Sequence, residues 1–331
     1  MKPIKKYYLL SILVLFLNCF IGNTVRLFDG AERSSDLLET TIEGNSSDKV
    51  LLISIDGVIS DSPSPTGFLG LGSSDSMVAR IKEELSKASF DPYIKGIILK
   101  INSPGGGVTA SDLIYREISK FKQEKNIPIV ALFMDTAASG GYYVAMSSDY
   151  IVAHPTTVTG SIGVIISSIN VKQGLDKIGV KDQSITSGPN KAILSPLQEM
   201  SPEQRTIIQS VVDGMYEKFL EKVKSNRKQI SEVKLRQLAD GRIYTAEQAL
   251  KEKLIDRIGY FEDAVGSLMK ADTYRGTGAK PRIITYTYNP RKPLKNVYQV
   301  NDKILEESNI EKLLKVISDK DTPKFLYLWK L

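Results

Sequence analysis

The stretch IKGIILKINSPGGGVTASDLIYREISKFKQEKNIPIVALFMD, residues 94–135, decides the fold class. It opens with a run of apolar and β-branched residues (94–102), which predicts a buried strand. After a turn rich in proline and glycine, apolar residues at helical spacing predict a helix over residues 109–125. A second apolar run predicts a strand over residues 127–135. A strand, a helix and a strand in this order are typical of a parallel sheet, so the stretch predicts an α/β fold.

The same alternation extends on both sides of this stretch. Before it, residues 49–57 predict a strand and residues 74–89 predict a helix, with a loop of proline, glycine and serine between them. After it, ASGGYYVAMSSD predicts a helix, and YIVAHPTT and VTGSIGVIISSIN predict strands. Residues 201–265 have a helical pattern of apolar residues and are rich in lysine. The tail after residue 271 lacks a regular pattern of this kind, which predicts loose order.

The composition is that of an ordinary globular protein, with 331 residues of which 42% are hydrophobic and 25% charged. This excludes an intrinsically disordered chain. The net charge of +6 suits a body near an anionic membrane surface but is too small to indicate nucleic-acid binding. Cys19 is the only cysteine, which excludes an intrachain disulfide and a cysteine-based metal site. We expect no metal, no cofactor and no nucleic-acid partner.

The amino-terminal segment predicts a membrane anchor. Three lysines within the first six residues precede an uncharged apolar run over residues 7–25. As a helix this run would span about 28 Å, which matches the ~30 Å hydrocarbon core of a bilayer. The lysines place the amino terminus in the cytoplasm and the body outside, so we expect a retained transmembrane anchor over residues 1–26 and a polar linker over residues 27–48. A cleaved signal peptide and a lipid on Cys19 are alternatives, which the residues around the cleavage position disfavour.

Small residues surround Ser139 in DTAASGGYYVA, residues 135–145. Such neighbours allow a sharp backbone turn and the close approach of another molecule. A serine on a tight turn at the start of a helix is one way to display a nucleophile, and it is also a common helix cap. Ser139 is therefore the candidate nucleophile, with helix capping as its alternative role.

A serine nucleophile needs a general base, and the residues leave the identity of this base open. His154 is the only histidine, and a triad of the serine, His154 and either Asp135 or Asp149 is compatible with the sequence. A neutral lysine can also activate a serine, provided that burial lowers its pKa from about 10.4. Lys191, in SGPNKAILSPLQEM, and Lys100, in the strand IILKIN, are the two candidates of this kind.

Consecutive glycines in NSPGGGVTA, residues 102–110, follow a predicted strand and precede a predicted helix. Glycines in this place leave backbone N–H groups free to point at an anion, so the stretch is the candidate oxyanion hole. An ordinary strand-to-helix turn is the alternative interpretation of the same residues.

Four motifs taken together resemble the signal peptide peptidase A (protease IV) family of serine proteases. They are INSPGGGVTASD, AASGGYYVA, TVTGSIGVI and GPNKAILSP, and their order and spacing carry the resemblance. It runs from about residue 49 to residue 270 and includes GRIYTAEQALKEKLIDRIG, residues 241–259. The resemblance implies an α/β fold of the ClpP/crotonase-like type, with a protease domain over residues 49–270 behind a single N-terminal transmembrane helix. Residues 271–331 are left as a C-terminal tail.

The functional positions of that family fall on matching residues of this sequence. The nucleophile falls on Ser139 and the general base on Lys191, 52 residues later, which implies a Ser–Lys dyad. The oxyanion donors fall on the backbone N–H groups of Gly106 and Gly140. Ser161, in TGSIG, matches a serine that helps to position the lysine.

The resemblance also implies a function and partners. The chain would be a membrane-anchored serine endopeptidase that degrades cleaved signal peptides and other unfolded peptides on the extracytoplasmic side of the membrane. Members with a single core resemble closed rings, so we expect a homo-oligomer of eight copies. In such a ring, Ser139 and Lys191 of one site could come from neighbouring subunits. No metal or cofactor is implied.

Two other functions are compatible with the sequence. A non-catalytic membrane-tethered crotonase-like scaffold or regulator would bind partners, although it has no reason to combine Ser139, Lys191 and the two glycine turns. A thioester-using crotonase enzyme is disfavoured, because acyl-CoA substrates are cytoplasmic and the lysine rule places this body outside. The apolar, aromatic end of the tail, residues 322–331, could also block the site as a tethered product.

Overall fold

A largely parallel sheet lies at the centre of the protein, as the alternation of strands and helices predicts. The computed structural model describes residues 37–66, 72–288, 294, 296–300 and 325–329. The strands within these residues are β1 (Leu38–Glu43), β2 (Lys49–Ile59), β3 (Ser64–Thr66), β4 (Gly72–Ser74), β5 (Ile94–Gly107), β6 (Ile129–Ala138), β7 (Tyr150–Ala153), β8 (Val158–Gly160), β9 (Ile165–Ile166), β10 (Ile243–Thr245), β11 (Arg257–Ile258), β12 (Arg282–Thr287) and β13 (Phe325–Leu328). Apart from the hairpin of β3 and β4, they form one eleven-stranded sheet, in which β12, β2, β5, β6, β7 and β11 run parallel in that order. The α/β fold class is confirmed.

Helices connect these strands and cover the sheet. They are α1 (Met77–Ser89), α2 (Val108–Lys125), α3 (Gly140–Ala145), α4 (Lys172–Lys177), α5 (Pro202–Asn226), α6 (Glu232–Leu238), α7 (Ala246–Lys251) and α8 (Phe261–Met269). Because α2 lies between β5 and β6, the strand–helix–strand unit predicted over residues 94–135 is confirmed. The long helix α5 begins at a capping box, in which Ser201 and Gln204 each accept a hydrogen bond from the backbone amide of the other.

The central strands are buried on both faces of the sheet, because successive side chains of a strand point to opposite sides. Along β2, Leu51, Ile53 and Ile55 pack in an apolar cluster with residues of α1 and α2. Val50 and Leu52 pack on the opposite face with residues of α8. A sheet covered on both faces explains why its strands are continuous apolar runs in the sequence.

The sheet includes residues from both sides of the predicted domain boundaries. β1 comes from residues assigned to the linker, and it pairs antiparallel with β12, which comes from residues assigned to the tail. The loose order expected after residue 271 is therefore wrong for β12. Its Ile283 and Ile284 are fully buried, each in a different one of the two apolar clusters, so this strand completes the sheet.

The predicted membrane anchor lies outside the part of the chain that the structure describes. Within the described ranges, no helix combines the length and the apolar composition that crossing a bilayer requires. The apolar run over residues 7–25, on which the anchor depends, belongs to residues 1–36, which are not described. The anchor therefore stays a prediction.

Short strands gather beside the carboxyl ends of β5 and β6. β8 pairs with the last residues of β6, and β10 pairs with β8. β13 pairs antiparallel with the glycines at the end of β5 and, on its other side, with β9. These pairings bring the glycine-rich end of β5, the start of α3 and the end of the tail to one edge of the sheet.

Candidate active site

Ser139 lies at the junction between β6 and α3, where the backbone turns sharply. Its φ of 51° is positive, which is uncommon for a residue other than glycine and costs on the order of 1–3 kcal/mol. The turn is held by two hydrogen bonds of 2.8 Å, from the Ser139 amide to the Gly160 carbonyl and from the Tyr143 amide to the Ser139 carbonyl. Ser139 is the N-cap residue of α3, yet its side chain makes no capping hydrogen bond. Helix capping therefore does not explain this serine, and a strained strand-to-helix turn is a known way to display a nucleophile.

Ser161 lies next to this turn because β8 runs beside the end of β6. Ala138 pairs with Gly160 in the parallel ladder. Ser139 comes directly after Ala138 and Ser161 directly after Gly160, so the two serines lie side by side. Ser161 also has a positive φ, of 49°, and its amide donates to the Arg242 carbonyl at 2.7 Å. The structure thus brings the predicted nucleophile and the predicted positioning serine together.

The glycines of β5 pack directly against the start of α3. A β-carbon on Gly140 would lie 2.6 Å from the Ser111 hydroxyl oxygen and 3.1 Å from both the Gly105 α-carbon and the Gly106 nitrogen. Contacts this short are repulsive, so only glycine allows the close approach at position 140. The two residues expected to supply the oxyanion donors, Gly106 and Gly140, therefore line the same crevice.

The end of the tail lies in this crevice as an extended strand. β13 pairs with β5 at its three glycines and with β9 on the other side. The register places Tyr327 opposite Gly106, and the Trp329 amide donates to the Pro104 carbonyl at 2.8 Å. Addition of a strand to a sheet edge is a common way of binding an extended peptide, so the crevice has the form of a peptide-binding site.

Aromatic rings line a pocket beside the crevice, and Tyr327 fills it. The Tyr327 ring stacks on Tyr143 with 5.1 Å between centroids and lies 4.7 Å from Phe219. The Tyr327 hydroxyl donates to the Met215 carbonyl at 2.9 Å, and the Tyr143 hydroxyl donates to Asp112 at 2.7 Å. Burial, followed by the Asp112 carboxylate, raises the pKa of both hydroxyls, so both remain protonated donors at neutral pH. The sequence has an aromatic pair after Ser139, but its local pattern does not reveal this pocket.

Lys191 lies in an exposed part of the single chain. It is exposed, and no residue of the segment 167–200 around it is fully buried. Among the described residues, no hydrogen bond joins the Lys191 side chain to the Ser139 hydroxyl. In one copy of the chain the two members of the predicted dyad therefore have different surroundings, with Ser139 enclosed and Lys191 open to solvent.

The other two candidate bases have partners of their own. Lys100 is 3% exposed, donates to the Val300 carbonyl and lies 4.0 Å from an Asp56 carboxylate oxygen. His154 packs edge-on against the Tyr260 ring with 5.1 Å between centroids, and burial lowers its pKa. Each of these side chains is held by the fold and not by the candidate nucleophile, so the geometry does not support a histidine triad.

Known proteins are similar in sequence to this chain. The sequence profile described as Peptidase family S49 matches residues 121–275. The "Putative signal peptide peptidase SppA" of Enterococcus faecium is 41% identical over 246 residues, which make up 74% of this chain and 69% of that protein. The chain belongs to peptidase family S49. The resemblance carried by the four motifs is confirmed.

Two longer S49 relatives match over a smaller part of their own length. The protein named "Protease 4" of Salmonella typhi is 34% identical over 65% of this chain and 33% of that protein. The "Protease 4" of Haemophilus influenzae is 34% identical over 74% of this chain and 38% of that protein. The matched region of this S49 chain thus covers 33% of the length of the Salmonella protein and 38% of that of the Haemophilus protein.

Proposed function

We propose that this S49 peptidase is a membrane-anchored serine endopeptidase that degrades cleaved signal peptides and other unfolded peptides. Ser139 is the nucleophile, Lys191 is the general base, and the amides of Gly106 and Gly140 form the oxyanion hole. Ser161 positions the lysine. The ClpP/crotonase-like fold implied by the resemblance belongs to the same proposal.

One observation carries the proposal: a strand of peptide lies directly beside the strained turn at Ser139. If Gly105 had a β-carbon, this atom would lie 1.9 Å from the Tyr327 carbonyl oxygen and 2.7 Å from the Gly140 nitrogen. The carbonyl of the peptide strand and the amide of Gly140 therefore both lie next to Gly105, where no side chain separates them. Oxyanion donors are needed at such a point, where the carbonyl of a bound peptide arrives next to the nucleophile.

The chemistry follows from these roles. Neutral Lys191 accepts the proton of the Ser139 hydroxyl as its oxygen attacks the peptide carbonyl, and the oxyanion that forms accepts hydrogen bonds from the two glycine amides. The lysine then gives this proton to the leaving amine, so the peptide bond breaks and an acyl-enzyme remains. A water molecule, deprotonated by the same lysine, hydrolyses the ester and restores Ser139. The steps need no metal and no cofactor.

The exposed position of Lys191 supports a homo-oligomer in which two subunits share each dyad. In the same segment, Ile169, Ile178 and Ile185 are 72%, 73% and 100% exposed. Clustered exposed apolar side chains mark interaction surfaces. Docked on a neighbour, this segment would carry Lys191 to the neighbouring Ser139 and remove it from solvent. A head-to-tail contact of this kind closes into a ring, for which eight copies are the expected size.

The membrane location and the substrate class belong to the same proposal. The basic and then apolar segment over residues 1–26 would anchor the chain with its catalytic domain outside the cytoplasm. The Enterococcus relative is named for the cleavage of signal peptides, and such peptides are left in the membrane once they have been cut from their proteins. A crevice that holds β13 as an extended strand suits an unfolded peptide better than a folded protein.

Labelling with a fluorophosphonate tests the proposal, because this probe reacts with activated serines. The full chain in detergent would be labelled between about pH 6 and pH 10, beside the Ser139→Ala and Lys191→Ala variants. We expect labelling at Ser139 that rises with pH as the lysine loses its proton, and that disappears in both variants. Undiminished labelling of the Lys191→Ala variant would refute the dyad. No labelling of a folded, assembled protein at any pH would favour the non-catalytic scaffold.

A further inference from the structure

Ser103 lies fully buried at the point where β5 approaches the nucleophile turn. It pairs with Ala137 of β6, which comes shortly before Ser139. Ser103 also packs against the start of α3, since a β-carbon on Gly141 would lie 3.0 Å from the Ser103 carbonyl oxygen and 3.4 Å from the Ser103 β-carbon. Ser103 therefore lies between the glycine-rich end of β5 and the helix that follows the nucleophile.

The Ser103 hydroxyl holds the peptide groups on both sides of Gly105. The Gly105 amide donates to the hydroxyl oxygen at 3.1 Å, and the hydroxyl donates to the Gly105 carbonyl at a longer 3.4 Å. A serine that bonds in this way to the backbone two residues further on stabilises a turn. A trans peptide group points its carbonyl and its N–H in opposite directions. Because the Gly105 carbonyl is held on the side of Ser103, the Gly106 N–H points away from that side.

The backbone at this turn has few other restraints. The register of β5 shifts against both of its neighbours, β2 and β6, within residues 101–105. Gly105 has a φ of 106°, and glycine restricts the backbone less than any other residue. Without the hydroxyl, the peptide group that carries the Gly106 N–H would lose its partner within the turn and rotate more freely.

We propose that Ser103 is a positioning residue of the proposed oxyanion hole, and that its hydroxyl holds the Gly106 N–H towards the carbonyl under attack. The hydroxyl is enclosed and bonded to the backbone, so Ser103 acts through Gly106 and does not touch the substrate. The proposal rests on the proposed peptidase function and adds a residue to the same site.

Two inhibitors that differ only in their end group measure the oxyanion donors. With acetyl-Leu-Leu-leucinal, the Ser139 oxygen bonds to the aldehyde carbon, its proton passes to the general base, and the aldehyde oxygen becomes an oxyanion. Acetyl-Leu-Leu-leucinol has an alcohol in place of the aldehyde and forms no oxyanion. Both inhibition constants are measured on the hydrolysis of fluorescein-labelled casein by the full chain in detergent. Their ratio, the aldehyde preference, reports oxyanion stabilisation and does not depend on the fraction of folded enzyme.

Three variants separate positioning from general stability. Ser103→Ala should lower the aldehyde preference and kcat by about 10- to 100-fold, because the Gly106 donor is displaced but not removed. Ser103→Cys should have a smaller effect, because a thiol fills similar space and is a weak acceptor. Thr285→Val is the matched control: it removes an equally buried hydroxyl, which donates to the Leu52 carbonyl at 3.0 Å, and should leave the preference unchanged. Thermal unfolding compares the stability that each variant loses.

The outcomes distinguish this proposal from the proposed function. A wild-type aldehyde preference in Ser103→Ala, or an equal fall in Thr285→Val, would overturn the role of Ser103 while Ser139 is still labelled by fluorophosphonate. If Ser103→Ala does not fold, Ser103→Cys decides, and a wild-type preference in that variant would overturn the role. If the wild-type protein is not labelled at Ser139 and hydrolyses no casein, the peptidase function itself is refuted, and the role of Ser103 with it.

Discussion

Replacing Gly140 with alanine tests whether the amide at this position belongs to the catalytic apparatus. The added β-carbon would lie 2.6 Å from the Ser111 hydroxyl oxygen, which is itself fixed by its hydrogen bond to the Gly107 carbonyl at 2.9 Å. A carbon–oxygen contact requires roughly 3.3 Å, so the turn has to move by about 0.7 Å. Because the Gly105 α-carbon and the Gly106 nitrogen would be only 3.1 Å away, the movement separates the two donor amides.

The expected loss of activity is much larger than the loss of stability. Removing an oxyanion donor lowers kcat by about 10²–10³, and a displacement of roughly 1 Å can cost about 10²-fold, so we expect kcat/KM to fall by about 10²-fold. Overpacking of this kind lowers the free energy of unfolding by about 1–3 kcal/mol. The free energy of unfolding of a typical domain is about 5–15 kcal/mol, so the Gly140→Ala variant should remain folded.

The assay compares peptide hydrolysis, fluorophosphonate labelling and thermal unfolding of Gly140→Ala with those of a matched control, Gly266→Ala. Gly266 lies within α8, and apart from its chain neighbours and the adjacent backbone of the helix no atom would be within 4 Å of the added β-carbon. Alanine at position 266 should therefore leave activity unchanged and raise the free energy of unfolding by roughly 0.5–1 kcal/mol. A folded Gly140→Ala protein that cleaves peptides at the wild-type rate would refute the assignment of this amide to the oxyanion hole.

Three further predictions concern the dyad, the histidine and a buried ion pair. Rings assembled from equal amounts of Ser139→Ala and Lys191→Ala chains should regain about one quarter of the wild-type hydrolysis, because a site shared by neighbours is complete when each supplies its intact residue. Co-expressed chains with two different tags allow this measurement, and zero recovery would place each dyad within one chain. His154→Asn should leave the labelling rate unchanged at neutral pH. Burial lowers the His154 pKa, so the folded protein resists protonation of this imidazole. The free energy of unfolding of the wild-type protein therefore decreases as the pH falls below about 6.5. The variant should lose less stability on acidification, and denaturant titrations at pH 7.5 and pH 5.5 would show whether it does. Arg227→Met should lower the free energy of unfolding by about 3 kcal/mol, because Asp256, now 2.7 Å from the guanidinium, would lose its cationic partner and keep only the Ile151 amide as a donor. Urea unfolding measures the difference, and a change below about 1 kcal/mol would contradict it.

The central strands β2, β5, β6 and β7, the helices between them and the turn at Ser139 were predictable because their signals are local. A strand that is buried on both faces is apolar throughout, so the runs over residues 94–102 and 127–135 indicated β5 and β6 directly. β5 continues beyond the predicted strand to Gly107, because β2 on one side and β13 on the other pair with its glycines. A pairing partner that lies far along the chain leaves no mark in the local pattern.

The aromatic pocket was not predictable for a related reason. Tyr143 stands in a conspicuous aromatic pair after Ser139, but Phe219 and Met215 lie in a long helix whose apolar residues have no distinguishing spacing. The contact of Phe219 with Tyr143 depends on where α5 packs against α3. The same holds for β12, whose place in the sheet depends on its pairing with β1 and β2.

The sequence by itself determined the α/β class, the sharp turn that carries Ser139 and the membership of peptidase family S49. The first two depend on residues that are near one another in the chain, and the third depends on the order and spacing of the four motifs. Only the tertiary structure decided the surroundings of the lysines, with Lys100 enclosed beside Asp56 and Lys191 exposed. It also decided that the end of the tail lies against the glycines of β5. The pKa of a lysine and the occupant of a crevice are set by groups that the fold brings together from distant parts of the chain, and spacing along a sequence does not encode such distances.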